Sequence, residues 1–313
     1  MSNLVSIIIP TYNRAHLIGE TLDSIIDQTY QNWECIVVDD GGSDTTEVEM
    51  LKLLEIDNRF QYYKRSMNYP EGACGCRNFG FLKSSGNYIQ WLDDDDLLSE
   101  NKLYQQVIVL ENNSDSLAIA TCSWDFFWKA KKLDLKNVFS ETKVITKHNF
   151  YSVLAQKQSF IPPLAYLIPK KICLLAGSWN TDLKLNQDAE YFNRVLLHAK
   201  KLISVSDCYV LYREHNNNRV SRERSIEHIE SFFFSIQLMK AYLKLHNINA
   251  KTYFKWKLSK WFLAYYRIYP EIIFKYRFLL KENGIDINLA RYYFLKHDIY
   301  KLVYPVYKKL LKK

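Results

Sequence analysis

Four consecutive carboxylates follow a short apolar segment in the first third of the chain. Residues 88–92 are typical of a buried strand, and Asp93, Asp94, Asp95 and Asp96 come directly after them. Ligands of open α/β sheets bind just past the carboxyl ends of the strands. Clustered carboxylates suit Mg²⁺ or Mn²⁺, because these cations prefer oxygen ligands. The segment therefore indicates a divalent-metal site, with a solvated acidic turn that caps the next helix as the alternative.

A second carboxylate pair, Asp39 and Asp40, follows another apolar segment, residues 33–38. This segment and residues 5–9 flank a stretch with helical spacing, which predicts a β-α-β unit with parallel strands. Asp40 should then open on the same edge of the sheet as residues 93–96. A carboxylate at an early strand end commonly accepts hydrogen bonds from a nucleoside, and a metal at a central strand end can hold a diphosphate. Together the two acidic groups predict a nucleoside-diphosphate site.

The glycine pattern excludes the common phosphate-binding loops. Neither G-x-x-x-x-G-K-S/T nor G-x-G-x-x-G follows the first predicted strand. We therefore expect a metal ion, together with Arg77 or Arg219, to neutralise the charge of the diphosphate. An ordinary surface ion pair is the alternative for Arg77.

The composition describes a folded protein with a sizeable core. The chain has 313 residues, of which 48% are hydrophobic and 15% aromatic. Its six Cys show no C-x-x-C spacing, so we expect reduced, mostly buried thiols. No signal peptide and no run of roughly 18 apolar residues is visible. These features predict a cytoplasmic protein of one large domain or two.

The positive charge is concentrated at the carboxyl-terminal end of the chain. Residues 251–313 hold 15 Lys and Arg against four Asp and Glu, whereas residues 1–250 hold 27 against 30. Aromatic residues alternate with cations in the basic segment, as they do in interfacial helices. We predict that this segment docks on an anionic membrane surface, at the inner face of the cytoplasmic membrane. Packing on the core and an oligomer interface are the alternatives, and the acidic balance of residues 1–250 argues against nucleic acid.

Two local expectations concern secondary structure. Pro10 should end the first strand. Residues 125–150 are polar without a clear period, which predicts an irregular stretch or a β-ribbon over the site.

Five short motifs occur in order along the chain: residues 5–14 (VSIIIPTYNR), 37–44 (VVDDGGSD), 77–80 (RNFG), 92–96 (LDDDD) and 187–190 (QDAE). Each is weak alone, but the ordered set resembles the family-two inverting glycosyltransferases of GT-A fold. The resemblance implies an α/β domain over residues 1–224, with a Rossmann-like, mostly parallel sheet and flanking helices. A helical basic and aromatic region over residues 225–313 would follow.

The resemblance also implies roles for particular residues. The matching positions are, for the donor, Pro10, Thr11, Tyr12, Asp40, Arg77 and Asp94; for the metal, Asp93, Asp95 and His215; and for catalysis, Asp188. Asp40 would hydrogen-bond the base, usually uracil, and Asp95 would be the most direct ligand of Mn²⁺ or Mg²⁺. Asp188 would be the general base. It follows Gln187, where the family commonly has Glu, and this departure alters its electrostatic surroundings.

The implied reaction is inverting transfer of a sugar from a nucleoside-diphosphate sugar, a uridine one by resemblance. The acceptor would be a saccharide or lipid-linked saccharide in surface polysaccharide synthesis. Such a displacement needs one base on one side of the sugar and a neutralised diphosphate on the other. A non-catalytic nucleotide-sugar-binding or scaffold protein at the membrane is the alternative, and a nucleotidyltransferase is a third reading. Asp95 and Asp188 argue against the scaffold, and the missing glycine-rich basic loop argues against the nucleotidyltransferase.

Overall fold

The computed structural model describes residues 3–128, 134–139, 144–214 and 225–288. The strands are β1 Val5–Thr11, β2 Trp33–Asp39, β3 Phe60–Lys64, β4 Tyr88–Trp91, β5 Leu97–Leu98, β6 Ala118–Phe127, β7 Val144–Ile145, β8 Ile168–Pro169 and β9 Lys201–Arg213. The helices are α1 Ala15–Ile26, α2 Thr46–Ile56, α3 Ala73–Lys83, α4 Lys102–Glu111, α5 Lys147–Lys157, α6 Lys170–Ala176, α7 Gln187–His198, α8 Ile226–Leu245, α9 Lys251–Tyr265, α10 Pro270–Lys275 and α11 Arg277–Glu282.

The larger sheet has the strand order β3-β2-β1-β4-β8. Its first four strands are parallel, and the two-residue β8 runs antiparallel to β4. Every residue of β1, β2 and β4 is buried. Because both faces of these strands are buried, their sequences are largely apolar and do not alternate between apolar and polar residues. The predicted α/β architecture with a mostly parallel sheet and flanking helices is confirmed.

Helix α3 lies unusually close to this sheet because a glycine faces it. A Cβ atom on Gly80 would come within 2.6 Å of Ile8 Cγ2 and 3.2 Å of Val38 Cγ2. Any side chain here would push the helix outward. The close approach keeps the amino-terminal half of α3 at the edge where β1, β2 and β4 end.

The second sheet has the order β5-β9-β6, with β7 paired to β9. Strands β6 and β9 run parallel, and β5 and β7 are antiparallel to β9. An isolated bridge between Ala120 and Leu167 connects this sheet to the chain that leads into β8. Because β5 begins directly after the four carboxylates, the acidic turn is fixed between the two sheets.

One local prediction was wrong, and a second was right only in part. Pro10 lies inside β1, which continues to Thr11. Pairing with β4 already ends at Ile8, so proline's missing N–H costs no hydrogen bond on that side. The stretch 125–150 is only partly irregular: residues 134–139 hold no strand or helix beyond the bridge from Lys136 to Trp124, whereas β6 runs on to Phe127 and α5 begins at Lys147. A capping box between Thr146 and Asn149 marks the start of α5. The polar composition of the stretch obscured this signal.

The carboxyl-terminal helices pack on the same core as the larger sheet. One buried cluster joins Ile8 and Trp91 of that sheet to Phe233, Leu258 and Leu280 of α8, α9 and α11. The buried aromatic residues after residue 250 are Tyr253, Phe254, Phe262, Tyr265, Tyr266 and Tyr276. Packing therefore accounts for most rings of the described basic segment, and the division into two domains at residue 224 stays a prediction. Among the described residues, no helix is long and apolar enough to cross a membrane.

A lysine is buried between the two sheets. Lys102 has no exposed surface, and its ammonium group donates to the Gln90 side chain and, at 3.2 Å, to the Tyr166 carbonyl. Burial lowers the pKa of Lys102 to about 8, and the neighbouring thiols of Cys122 and Cys208 act weakly in the opposite direction. The folded state therefore holds this proton less tightly than the unfolded chain does.

Replacing this lysine should remove a pH dependence of stability. Between about pH 8 and pH 10.4 the unfolded chain binds more protons at Lys102 than the folded chain, so stability attributable to this group rises with pH. As the pH rises across this range, the free energy of unfolding of the wild type should increase by about 2 to 3 kcal/mol more than that of Lys102→Met. Urea unfolding at pH 7, 8, 9 and 10 measures the difference. The exposed Lys52→Met is the control, and parallel curves for wild type and Lys102→Met would contradict the assignment.

Candidate active site

The carboxyl ends of β1, β2 and β4 meet at one edge of the larger sheet. Thr11 and Asp39 are opposite each other at the last pair of β1 and β2, and Asp40 follows directly. Asp39 is buried and accepts hydrogen bonds from the backbone of Gly41 and Gly42 at 3.0 and 2.7 Å. This residue therefore builds the turn, and its neighbour Asp40 is left to face the edge.

The four consecutive carboxylates alternate in direction. Asp94 and Asp96 are buried, whereas Asp93 and Asp95 are half-exposed at the edge. Asp96 accepts a hydrogen bond from the backbone N–H of Arg213 at 2.8 Å, and the side chain of Arg213 donates to the Asp95 carbonyl at 2.6 Å. The end of β9 thus fixes the turn that presents Asp93 and Asp95.

Burial raises the pKa of Asp94 to about 7. The adjacent Asp95 and Asp93 act in the same direction, while the Thr11 hydroxyl and Arg14 oppose it. Asp94, placed beside the donor by resemblance, therefore lies behind the edge against β1 rather than on it.

Helix α3 connects the separate acidic positions. The backbone N–H of Gly72, just before the helix, donates to Asp40 at 2.7 Å, and the Cys76 thiol lies 3.6 Å from the same carboxylate. Arg65 also donates to Asp40. Because a carboxylate can accept about four hydrogen bonds, Asp40 retains capacity for a ligand. One residue further along α3, Arg77 forms an ion pair with Asp93, with Nη2 to Oδ1 at 2.5 Å.

Arg77 is the buried cation of the site. It is 6% exposed, and its guanidinium carbon lies 4.5 Å from the ring centroid of Trp179. Burial lowers the pKa of Arg77, but Asp93, Cys74 and Asp188 outweigh this and raise it overall, so the guanidinium stays charged. Its Nε and Nη1 groups have no hydrogen-bond partner among the described residues. Both groups are enclosed within the protein, and the Cys74 thiol is a further neighbour of this guanidinium.

Asp188 lies close enough to Arg77 for its charge to raise the pKa of that guanidinium. It stands in the first turn of α7, half-buried, and accepts from the backbone N–H of Ala189 at 2.9 Å. Its charge also acts on Lys257 of α9, whose pKa is lowered by burial and partly restored by Asp188. The structure thus brings Asp40, Asp93 and Asp188 together around the amino-terminal half of α3.

The carboxyl-terminal region holds the turn that presents Asp188. Ser231 of α8 accepts hydrogen bonds from the backbone of Lys184 and Leu185 at 2.8 and 3.1 Å. Asn186 adopts a left-handed conformation (φ 63°) and donates to Ser235 at 2.8 Å. The sequence suggested no site role for these serines, since single hydroxyls in an apolar helix carry no local signal.

The other predicted residues divide into two groups. Pro10 and Thr11 are buried at the end of β1, whereas the Tyr12 ring is 56% exposed above the edge. Asn13, with φ of 53°, accepts from the backbone of Ser43 at 2.7 Å and thereby connects this loop to the one after Asp40. His215 and Arg219 lie outside the described residues, so their roles stay predictions.

The residues at the edge suit a divalent ion only together with a phosphate ligand. The described residues contain no cluster of three or more acidic, His or Cys side chains that could hold a metal by themselves. Asp93 is engaged by Arg77, while Asp95 is half-exposed beside it. Mg²⁺-type ions are commonly held by one or two carboxylates plus substrate phosphates. The site fits this mode, with Asp95 as the residue best placed to bind.

Comparison with known proteins finds similarity to glycosyltransferases. Residues 6–156 match the model of glycosyl transferase family 2. The chain is 41% identical over 111 residues to UDP-Glc:alpha-D-GlcNAc-diphosphoundecaprenol beta-1,3-glucosyltransferase WfgD of Escherichia coli. The aligned residues are 35% of this chain and 42% of WfgD. The matched segment, just under half of the chain, is similar to glycosyl transferase family 2.

Solved structures of glycosyltransferases share the fold of this chain. S. aureus TarS 1–349 in complex with UDP-GlcNAc aligns with a TM-score of 0.66 and 16% identity, over 83% of this chain and 73% of that one. The mannosyltransferase PcManGT of Pyrobaculum calidifontis, in complex with GDP-Man and Mn2+, aligns with a TM-score of 0.54 and 16% identity, over 96% and 81%. The predicted GT-A fold is confirmed. The matched segments span 15, 59 and 42% of three curated relatives, so they cover well under two thirds of those proteins.

Proposed function

We propose that this chain transfers a sugar, with inversion, from a uridine-diphosphate sugar to a saccharide or lipid-linked saccharide acceptor. The observation that carries the proposal is the grouping of Asp40, Asp93 and Asp188 around the charged guanidinium of Arg77. A guanidinium suits a diphosphate. The names of WfgD and of the TarS complex, which specify uridine-diphosphate sugars, support the choice of nucleotide.

The proposed reaction assigns one role to each of these side chains. Tyr12 and Asp40 hold the base, and Arg77 donates to the diphosphate. Asp188 removes the proton from the acceptor hydroxyl as its oxygen attacks the anomeric carbon from the face opposite the diphosphate. The bond between that carbon and the diphosphate oxygen breaks in the same step, so the configuration inverts. When bound at Asp95, Mn²⁺ or Mg²⁺ supplies neutralisation of the charge on the leaving diphosphate.

A panel of nucleotides tests the donor site directly. With Mn²⁺ present, UDP at 100 times its Kd should stabilise the protein by about 2.7 kcal/mol and raise its Tm by about 5 °C. GDP and ADP at equal concentration should give smaller shifts, and Asp40→Asn should remove most of the difference. Equal shifts for all three nucleotides, or none, would contradict the proposed donor. A uridine-specific shift without hydrolysis or transfer of any UDP-sugar would instead favour the non-catalytic binding protein.

We also propose that the exposed basic face of the last helices contacts anionic lipid. Lys255, Lys260 and Arg267 are exposed there beside Leu263, which is 68% exposed. Each basic residue near an anionic leaflet contributes about 1 kcal/mol. Joint replacement Lys255→Glu and Lys260→Glu should therefore weaken flotation with phosphatidylserine vesicles by at least about tenfold. Lys52→Glu, on α2, is the control, and equal flotation of all three proteins would defeat this proposal.

A further inference from the structure

One buried tryptophan connects the acidic turn of the site with the helix that carries the proposed base. Trp179 is 2% exposed, so it lies too deep to touch a substrate. The guanidinium carbon of Arg77, on α3, lies 4.5 Å from the centroid of its ring. Tyr191 of α7 stacks on the same indole, with the ring centroids 4.1 Å apart and an angle of 8° between the planes. The indole therefore contacts both a cation of α3 and a ring of α7.

These contacts continue to the two ends of the site. Arg77 forms the ion pair with Asp93 in the acidic turn, at 2.5 Å. Tyr191 follows Asp188 by three residues on α7, and residues three apart are neighbours on the surface of a helix. A continuous series of contacts thus joins the turn that presents Asp95 to the helix that presents Asp188.

The segment around this tryptophan is held through its backbone from both helices. The side chain of Asn78, on α3, accepts from the Trp179 N–H at 2.8 Å and donates to the Trp179 carbonyl at 3.0 Å. From α7, Arg194 donates to the carbonyl of Ala176 and, at 2.8 Å, to that of Ser178. None of these bonds involves the indole, whose Nε1 has no hydrogen-bond partner among the described residues. Replacing the ring should therefore leave the segment in place.

The indole is the part of this connection that sets a distance. A rigid aromatic ring attracts a guanidinium over its face and stacks against a second ring. A leucine makes neither contact in a fixed orientation, so Arg77 and Tyr191 could then shift relative to each other. Displacement requires the reacting atoms to lie about 3 to 3.5 Å apart, and a misplacement of about 1 Å can lower the rate about 10²-fold. The separation between the base and the leaving diphosphate therefore depends on this ring.

We infer that Trp179 is a positioning residue, which fixes Asp188 at the distance from the acidic turn that one sugar needs. It acts through Arg77 and Tyr191 and contacts neither donor nor acceptor. This inference rests on the proposed function, because it takes Asp188 as the base and the acidic turn as the place of the diphosphate.

Turnover per UDP-binding site tests the inference. The probes are UDP-glucose and UDP-N-acetylglucosamine, the nucleotide sugars in the names of WfgD and of the TarS complex, and water replaces the acceptor hydroxyl. Release of UDP measures kcat, and calorimetric titration with UDP and Mn²⁺ counts the molecules that are folded and able to bind. Trp179→Leu should lower kcat per site by about tenfold or more. Its Kd for UDP should change by less than about threefold, because the ring touches no nucleotide.

A conservative variant and a matched tryptophan separate positioning from packing. Trp179→Phe keeps a ring against both neighbours, so its kcat per site should stay within about threefold of the wild type. Trp33 is also 2% exposed, with the guanidinium carbon of Arg59 3.7 Å from its ring centroid, but it begins β2 and the site lies at the end of that strand. Trp33→Leu should lower the Tm without changing kcat per site.

Two results would overturn the inference. One is a kcat per site in Trp179→Leu that equals the wild-type value. The other is a loss of about tenfold or more in Trp179→Phe, since a stacking ring would then not restore the spacing. A wild type that binds UDP but releases none from either sugar would count against the proposed function, and the inference would fail with it.

Discussion

Asp188→Asn should abolish transfer and leave the donor site intact. The amide has the same size and can still accept the hydrogen bond from Ala189, but it cannot take a proton from the acceptor hydroxyl. General-base catalysis contributes about 10² to 10⁴-fold, so we expect kcat to fall by at least that factor. The Kd for UDP should change by less than about threefold, since less than 1 kcal/mol is expected from a distant charge at the edge.

The matched control is Asp182→Asn, an exposed carboxylate shortly before the same helix. It should retain the wild-type rate. Radiolabelled sugar transfer measures kcat, and calorimetric titration with UDP measures the donor site. Near-normal turnover by Asp188→Asn would remove this residue from catalysis. A parallel loss of UDP binding would assign it to the donor site instead.

Chelation should have the second large effect. Arg77 is already paired with Asp93, so it cannot alone balance the two or more charges of a diphosphate. Removing a divalent ion with EDTA should lower the rate of transfer by at least about 10²-fold, and added Mn²⁺ should restore it. Asp95→Asn should reproduce the loss at low Mn²⁺ and recover in part as the ion is raised.

Two further variants separate the carboxylates. Asp93→Asn should not change the dependence of transfer on the metal. It should instead remove the ion pair between Asp93 and Arg77, in which the guanidinium donates to the carboxylate. Glu100→Gln, exposed at the start of the next helix, is the control. Full activity in EDTA would show that protein cations alone neutralise the charge of the diphosphate. The role assigned to Asp95 would then be wrong.

The acidic strand ends could be predicted because their signals are local. Continuous apolar runs before Asp40 and before the cluster at residues 93–96 predicted parallel strands, and the geometry of such a sheet places their ends together. The structure has both strands beside β1. Asp188 could be placed only by resemblance, because nothing in residues 183–190 indicates where α7 lies relative to the sheet.

The remaining features depend on contacts between distant segments. Ser231 and Ser235 hold the turn before Asp188 from a helix some 45 residues later, and Arg213 fixes the acidic turn from the end of β9. The basic, aromatic composition after residue 250 suggested a membrane surface, yet Leu258 and its aromatic neighbours are buried in the core. Composition records which side chains are present, but not which face of a helix they occupy. The contacts of Trp179 with Arg77 and Tyr191 likewise become visible only when α3 is placed near α7.

The most direct measurement is a crystal structure of Asp188→Asn with UDP and Mn²⁺, with the metal located by its anomalous scattering. The account predicts the uracil beside Tyr12 and Asp40, the manganese between Asp95 and the diphosphate, and Arg77 in contact with a phosphate oxygen. Residue 188 should face the outer phosphate across an open space the size of one sugar. UDP bound elsewhere on the molecule, or residue 188 separated from the phosphates by the protein core, would contradict it.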